Sequence, residues 1–211
     1  MIKIYPSLLA ADFYDLKKEI KDIEAADGMH IDVMDGHFVN NITIGVPVIK
    51  SIRKHTTKFL DVHLMIENPL EYIKVFSFAG ADSITFHLEV ADDPLFVIEA
   101  IKCMRNKVGV SIKPETDVPD LSVLKAVDSV LVMSVEPGFG GQEYIETTDE
   151  KIKKLAMIKK ENNLNFEIAV DGGINLTNAK RVIECGADVL IAGSAIFNEK
   201  NRKKAINKMR G

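Results

Sequence analysis

The sequence predicts an α/β fold, a single-domain (β/α)8 TIM barrel over residues 1–211. Short β-branched runs alternate with amphipathic helical patterns along the whole chain, which is typical of a parallel sheet with crossover helices. No linker, low-complexity tract or change of composition divides the chain, so we expect one domain. Side chains that can act as acids, bases or metal ligands also lie where the predicted strands end. Barrel enzymes have their active sites at this face.

Eight short runs rich in Val, Ile, Leu and Phe predict the strands. They cover residues 2–6, 29–33, 59–64, 83–86, 108–112, 129–133, 166–170 and 189–192. Eight strands in so short a chain indicate a compact barrel. An open doubly wound sheet is the alternative, but its Gly-x-Gly-x-x-Gly turn is absent after the first strand.

The segments between these strands have the apolar periodicity of helices, and several open with Asp, Asn, Thr or Pro, as helix N-termini prefer. They cover residues 12–25, 47–54, 69–78, 94–105, 149–161 and 178–185. Gly80 and Gly186 each stand between a helix and the next strand, where glycine forms a left-handed C-cap. The basic C-terminal stretch is interpreted as the solvated face of a last helix, with Ala205, Ile206 and Met209 on its apolar side.

The composition excludes several classes of partner. The chain has 46% hydrophobic and 27% charged residues, and its net charge of −4 gives no basis for binding nucleic acid or an anionic membrane. No stretch has the apolar length of a membrane helix, and the N-terminus is expected to begin a strand rather than a signal peptide. Cys103 and Cys185 are expected to be buried free thiols in a reducing compartment. We therefore expect a cytoplasmic protein.

Two aspartates and two histidines lie at the ends of three predicted strands. His30 and Asp32 are two residues apart, so their side chains share one face of the second strand. That pair alone is better explained by a buried hydrogen bond, but His63 and Asp171 at two other strand ends favour a metal site instead. Two imidazoles and two carboxylates without thiolates suit one divalent ion per chain, either Zn, Fe, Mn or Co.

Four further side chains at strand ends each permit two interpretations. Glu89 is either a surface residue or a group that orients a histidine through its second ring nitrogen. Met34, Met65 and Met133 are either packing residues or an apolar wall beside a planar intermediate. The sequence leaves both questions open.

Glycine-rich segments follow the last three predicted strands, and Ser7 follows the first. The segments contain Gly138, Phe139, Gly140 and Gly141, then Gly172 and Gly173, then Gly193 and Ser194. Such glycines often serve only to turn a tight loop. Three sets on consecutive loops favour a phosphate site, because they permit close backbone approach and expose N–H groups. Residues 193–197 are predicted to begin a short helix whose N–H groups face that phosphate.

Taken together, these segments resemble the ribulose-phosphate 3-epimerase family over nearly the whole chain. The motifs that carry the resemblance lie in residues 6–13, 30–39, 61–65, 132–142, 170–174 and 192–197. The resemblance implies a barrel of the ribulose-phosphate-binding type and a homo-oligomer, either a dimer or a hexamer. It implies that a divalent metal is held by His30, Asp32, His63 and Asp171, with both aspartates acting as acid and base. Ser7 and His63 would contact a sugar phosphate, and the glycine segments would bind its phosphate.

Some residues depart from the family pattern and leave the choice between two substrates open. Asn40 stands where Pro is usual, and Glu115 and Asp117 stand in a loop that resembles the allulose-6-phosphate 3-epimerase branch. The glycine segments resemble the ribulose-phosphate enzymes more closely, which favours D-ribulose 5-phosphate over D-allulose 6-phosphate. A related decarboxylase would need a Lys in an Asp-x-Lys-x-x-Asp pattern, which the third strand lacks. The alternative that is not an enzyme is a non-catalytic barrel that binds a sugar phosphate, and the four convergent residues argue against it.

Overall fold

The computed structural model describes residues 1–211 and confirms the predicted barrel of eight parallel strands alternating with helices. The strands are β1 Lys3–Pro6, β2 Gly28–Met34, β3 Phe59–Met65, β4 Ser83–His87, β5 Lys107–Ile112, β6 Ser129–Met133, β7 Glu167–Asp171 and β8 Val189–Ala192. Each predicted strand is present, and its ends lie within about one residue of those expected.

The strands follow the order β1-β8-β7-β6-β5-β4-β3-β2, and β1 pairs with β8. β1 and β2 are joined beyond the end of β1 by one parallel bridge between Ser7 and His30, so the barrel is nearly closed. The backbone N–H of Ile4 also donates to the Asp27 carboxylate, just before β2. This closure places Ser7 beside His30 of β2, next to the candidate site residues.

Helices cover the outside of the barrel. They are α1 Leu16–Asp22, α2 Val46–Arg53, α3 Pro69–Ala79, α4 Pro94–Cys103, α5 Leu121–Leu124, α6 Thr148–Glu161, α7 Ala179–Cys185, α8 Ser194–Phe197 and α9 Arg202–Met209. The sequence did not predict α5, because four residues are too few to show an apolar period. Gly80 and Gly186 cap α3 and α7 with φ of 107° and 118°, as expected.

The predicted terminal helix is confirmed, and one prediction about the cysteines is wrong. Ala205, Ile206 and Met209 of α9 are buried, while the basic residues of this helix lie mainly toward solvent. Both cysteines are free, but only Cys185 is buried. Cys103 is exposed because the last turn of α4 directs it away from the barrel. None of the helices combines the length and apolar content needed to cross a membrane.

The interior of the barrel is polar on one side and apolar on the other. Alternate residues of each strand point outward, where they form a large apolar core with the helices. The inward residues of β2 to β5 are largely polar and buried: His30, Asp32, Asp61, His63, Ser83, Thr85, His87 and Ser111. Those nearer β6 to β1 are mainly apolar and include Tyr5, Leu131, Ala169 and Ile191. The polar side meets the carboxyl ends of the strands at the candidate site.

Candidate active site

The structure brings His30, Asp32, His63 and Asp171 together at the carboxyl end of the barrel. One potential ligand atom of each residue lies within 4.8 Å of all the others. Nε2 of His30 lies 3.2 Å from Oδ1 of Asp32 and 3.9 Å from Oδ2 of Asp171. Nδ1 of His63 lies 3.3 Å from the same Asp32 oxygen. Strands β2 and β3 produce this convergence because Asp32 pairs with His63 in their register.

This donor set could hold a metal ion. Two ring nitrogens and two carboxylate oxygens converge on one point, and three of the four residues are buried. Burying two carboxylates so close together is costly unless a cation compensates them. The absence of thiolates and the presence of imidazoles match the ligands preferred by divalent first-row metals.

The two aspartates have opposite protonation tendencies. Burial would raise the pKa of Asp32, but the charge of His30 and hydrogen bonds from both histidines outweigh it and lower that pKa. Burial raises the pKa of Asp171 to about 7, and the negative charge of Asp32 acts in the same direction. One carboxylate is thus ionised at neutral pH while the other can hold a proton, which is the arrangement expected of a base and an acid.

The two histidines also differ. Burial opposes the charging of His30, but Asp32 and Asp61 outweigh it and raise the pKa of His30 well above the usual value. Burial lowers the pKa of His63 to about 4. His63 therefore offers a free nitrogen lone pair at neutral pH, whereas His30 must release a proton to solvent before it can bind a cation.

A cavity of about 490 Å³ opens above the cluster. Its lining includes both aspartates and nearly all the predicted substrate-binding residues: Ser7, Gly138, Phe139, Gly140, Gly141, Gly172, Gly173, Gly193 and Ser194. His30 and His63 are fully buried below it. The hydroxyl of Ser7 donates to Oδ2 of Asp32 at 2.7 Å, which directs that carboxylate.

Three methionines form the apolar part of the cavity wall. Met34, Met65 and Met133 are buried at the ends of β2, β3 and β6, and all three line the cavity. They belong to the apolar cluster that fills the other side of the barrel interior. They are therefore packing residues that also face the space where a substrate would lie.

The glycine loops on the opposite rim adopt conformations that other residues rarely take. Gly172 and Gly173 have φ of 117° and 62°. A Cβ on Gly173 would lie 2.4 Å from the backbone nitrogen of Tyr144, so the two loops pass too close for any side chain. The backbone N–H groups of Gly173 and Ser194 donate no hydrogen bond within the chain. This rim therefore offers free donors to an anion.

Sequence analysis missed the contribution of Asp61. Its carboxylate accepts a hydrogen bond from Nδ1 of His30 at 2.8 Å, so Nε2 of His30 faces the cluster. The signal was present, because Asp61 precedes His63 by two residues and so shares its face of β3. Its partner could not be identified without the register that pairs His30 with Asp61.

The structure also shows the positions of Glu89 and of the residues that depart from the family pattern. Oε2 of Glu89 lies 3.0 Å from Nδ1 of His87, and the glutamate side chain is 19% exposed. Glu89 therefore orients a histidine, but one that is not a candidate ligand. Glu115 and Asp117 are exposed and do not line the cavity, and Asn40 is exposed as well.

The barrel and the buried cluster at its carboxyl end define a class of protein, a (β/α)8-barrel enzyme with a possible metal site. Within that class, the model of the ribulose-phosphate 3 epimerase family matches residues 3–197, and the chain belongs to this family. It is 47% identical to the ribulose-phosphate 3-epimerase of Bacillus subtilis (strain 168), covering 100% of this chain and 99% of that protein. It is 42% identical to the cytoplasmic isoform of Oryza sativa subsp. japonica, covering 99% and 92%. The chain is accordingly an isomerase of the epimerase type.

More distant solved structures share the fold. The 3-hexulose-6-phosphate synthase of Salmonella typhimurium superposes with a TM-score of 0.70 at 22% identity, covering 99% of this chain and 96% of that one. The tryptophan synthase α-subunit of Pyrococcus furiosus gives 0.70 at 17% identity, covering 100% of both chains. At such identities these likenesses establish the barrel and not the reaction.

Proposed function

We propose that this enzyme interconverts D-ribulose 5-phosphate and D-xylulose 5-phosphate by inverting carbon 3 with two bases, Asp32 and Asp171. The observation that carries the proposal is the position of these two carboxylates at the floor of one cavity, with opposite protonation tendencies. Inversion next to a ketone requires one group to remove a proton and another to return one to the opposite face.

One divalent ion per chain, either Zn, Fe, Mn or Co, would be held by His30, Asp32, His63 and Asp171. When bound, such an ion acts as a Lewis acid that stabilises negative charge on the substrate oxygens near carbon 3. His30 and His63 supply neutral nitrogens for it, and Asp61 orients the first of them.

In one direction the ionised Asp32 takes the proton from carbon 3, and the electron pair moves toward the ketone oxygen to give an enediolate. Asp171, which carries a proton at the start of this step, returns that proton to the opposite face of the same carbon. The reverse reaction exchanges their roles. Ser7 holds Oδ2 of Asp32 and so directs its remaining lone pairs. The methionines keep water from the planar intermediate, because they are buried at the cavity wall.

The phosphate would lie at the glycine rim and fix the sugar across the two carboxylates. The free N–H groups of Gly173 and Ser194, on loops after β7 and β8, support this placement. The case for the alternative substrate, D-allulose 6-phosphate, depends on the loop that contains Glu115 and Asp117. Because both residues are exposed and lie away from the cavity, we favour the pentose phosphate.

Steady-state kinetics with both sugars test the proposal. We expect a higher kcat/KM for ribulose 5-phosphate than for allulose 6-phosphate, and one solvent deuteron on carbon 3 of each product formed in heavy water. Asp32→Asn and Asp171→Asn should each abolish epimerisation, whereas Asp92→Asn, a matched change at an exposed position, should not. Metal content is measured in every variant. Either site variant that keeps its metal and epimerises at the wild-type rate contradicts the two-base mechanism.

We also propose a homo-oligomer that acts in the cytoplasm, as the name of the rice relative suggests for that protein. Exposed apolar side chains on α3 and α4, among them Val75, Phe78 and Phe96, support self-association. Light scattering at micromolar concentration should find more than one chain per particle. A monomer at that concentration contradicts this part of the proposal.

A further inference from the structure

A row of buried groups runs away from the candidate metal site through His63. Nε2 of His63, the nitrogen that does not face the cluster, lies 2.9 Å from Nε2 of His87. Nδ1 of His87 lies 3.0 Å from Oε2 of Glu89. Both imidazoles are fully buried, and their rings stack with centroids 4.9 Å apart. The row thus connects the candidate ligand to a carboxylate two hydrogen bonds away.

These contacts favour one direction for the hydrogens. A neutral imidazole carries one hydrogen, and the 2.9 Å contact between the two Nε2 atoms requires one of them to donate and the other to accept. Glu89 accepts only, because burial is outweighed by hydrogen bonds that lower its pKa to about 2. In this direction His87 carries its hydrogen on Nδ1, where Glu89 accepts it, and His87 itself accepts on Nε2. His63 then carries its hydrogen on Nε2, which leaves the lone pair of Nδ1 facing the cluster.

The far end of the row is fixed by the loop after β5. Oε1 of Glu89 accepts from the backbone N–H of Lys113 at 2.7 Å and from the hydroxyl of Thr116. The ammonium group of Lys151 on α6 donates to the carbonyls of Lys113 and Pro114, both at 2.8 Å. Both oxygens of the glutamate are therefore occupied, and it cannot rotate without losing a partner.

A second contact keeps His87 in place. The ring of Phe38, in the loop after β2, packs against His87 at a tilt of 46°, with centroids 4.6 Å apart. The ammonium group of Lys113 lies 4.3 Å from the centre of that phenyl ring. His87 is thereby shielded from water, which would otherwise compete for the lone pair that accepts from His63.

We propose that Glu89 is a positioning residue for the metal site, acting through His87 to keep the Nδ1 lone pair of His63 directed at the metal. The proposal rests on the metal-binding part of the proposed function and adds two residues that touch neither metal nor substrate. His30 is held directly by the carboxylate of Asp61, whereas His63 is held by a carboxylate one imidazole further away. The two candidate histidine ligands are thus oriented by different means.

The metal-free protein provides the first test. Nitrogen-15 NMR of imidazole-labelled wild-type protein at pH 7 should show His63 protonated on Nε2 and His87 protonated on Nδ1. The opposite tautomer is a real competitor, because Nδ1 of His63 also lies 3.3 Å from Oδ1 of Asp32, to which it could donate. In that tautomer, His87 would present a lone pair to the Glu89 carboxylate. Finding His63 protonated on Nδ1 overturns the proposal without any mutation.

Glu89→Gln provides the second test, since it keeps the shape of the side chain but replaces one accepting oxygen with a donor. Whichever way the amide faces, either His87 or the N–H of Lys113 loses its acceptor. We expect the dissociation constant of Co²⁺, measured by chelator competition, to rise about 10–100-fold, as for other residues that orient metal ligands. Glu99→Gln, an equivalent loss of charge on the exposed face of α4, should leave this constant unchanged.

His87 variants separate orientation from packing. His87→Gln can still accept from Nε2–H of His63 through its side-chain oxygen, whereas His87→Leu leaves that N–H without an acceptor. We expect the Gln variant to bind Co²⁺ more tightly than the Leu variant, with thermal unfolding confirming that both fold. Equal affinities in the two folded variants overturn the proposal, as does a less than threefold change in Glu89→Gln.

These readouts do not depend on the substrate. If the tautomers and Co²⁺ affinities behave as described but neither sugar is epimerised, the positioning role stands and the proposed reaction fails. If both sugars are turned over while Glu89→Gln binds Co²⁺ like the wild type, the reaction stands and the positioning role fails.

Discussion

Gly109 occupies a position on β5 where the barrel interior has no room for a methyl group. A Cβ there would lie 2.1 Å from the hydroxyl oxygen of Thr85 and 2.9 Å from that of Ser129. Its backbone conformation is that of an ordinary strand, so space and not φ demands glycine. The contact matters for the site because Thr85 donates to Asp61, at 3.4 Å, and Asp61 holds His30.

The cost of Gly109→Ala follows from two opposing effects. Ordinary carbon contacts begin near 3.4 Å, so Thr85 on the neighbouring strand would have to move by about 1 Å, and such overpacking costs about 1–3 kcal/mol. Removing glycine from the unfolded chain stabilises the protein by about 0.4–1 kcal/mol. The clash is the larger effect, and we expect the free energy of unfolding to fall by about 1–2 kcal/mol. For a chain of this length the melting temperature should fall by roughly 2–8 °C.

A double-mutant cycle with Thr85→Ala tests the cause. Thr85→Ala alone should destabilise the protein, because a packed methyl and a hydroxyl are lost. In the Gly109→Ala background the same change removes the closest of the clashing atoms, so it should cost less, with a coupling energy of about 0.5–3 kcal/mol. Calorimetry of the four metal-free proteins gives this energy. Additive melting temperatures, or a Gly109→Ala protein as stable as the wild type, refute the steric reasoning.

Four smaller experiments examine other parts of the site. Asp61→Asn should weaken Co²⁺ binding about 10–100-fold in chelator competition, because a neutral amide orients His30 less firmly than a carboxylate. Ser7→Ala should lower kcat roughly 10–100-fold at full metal content, the value of a hydrogen bond to an ionised Asp32. Ser111→Ala should raise the free energy of unfolding by about 1 kcal/mol, because it removes a buried hydroxyl that has no hydrogen-bond partner. Chelation should abolish epimerase activity, and Zn²⁺, Fe²⁺, Mn²⁺ or Co²⁺ should restore it; persistent activity in metal-free protein contradicts the metal-binding proposal.

The sequence was sufficient to predict the strands and the residues at their ends. Strands were identifiable because each is a β-branched run bounded by helix caps or glycines, and because alternation of side chains fixes which residues share a face. His30 with Asp32, and Asp61 with His63, are such pairs. Knowing that the ends of parallel strands meet at one mouth then places Asp171 with them.

The contacts between strands could not be predicted in the same way. The pairing of Asp32 with His63, and of His30 with Asp61, depends on the stagger between β2 and β3, which no local pattern encodes. Without that stagger, Asp61 had no identifiable partner. Likewise, His87 and Glu89 lie on one short segment, yet their link to His63 exists only because β4 lies beside β3.

The uneven interior of the barrel is best understood as a consequence of the site. Barrels of this kind are usually filled by branched apolar side chains, which stabilise them. Here the interior faces of β2 to β5 instead carry buried acids and imidazoles, including His30, Asp61 and His87. Buried ionisable groups contribute less to stability than apolar residues of the same size. The outer core between strands and helices must therefore stabilise the fold, which leaves one half of the interior free to orient the ligands of the candidate metal site.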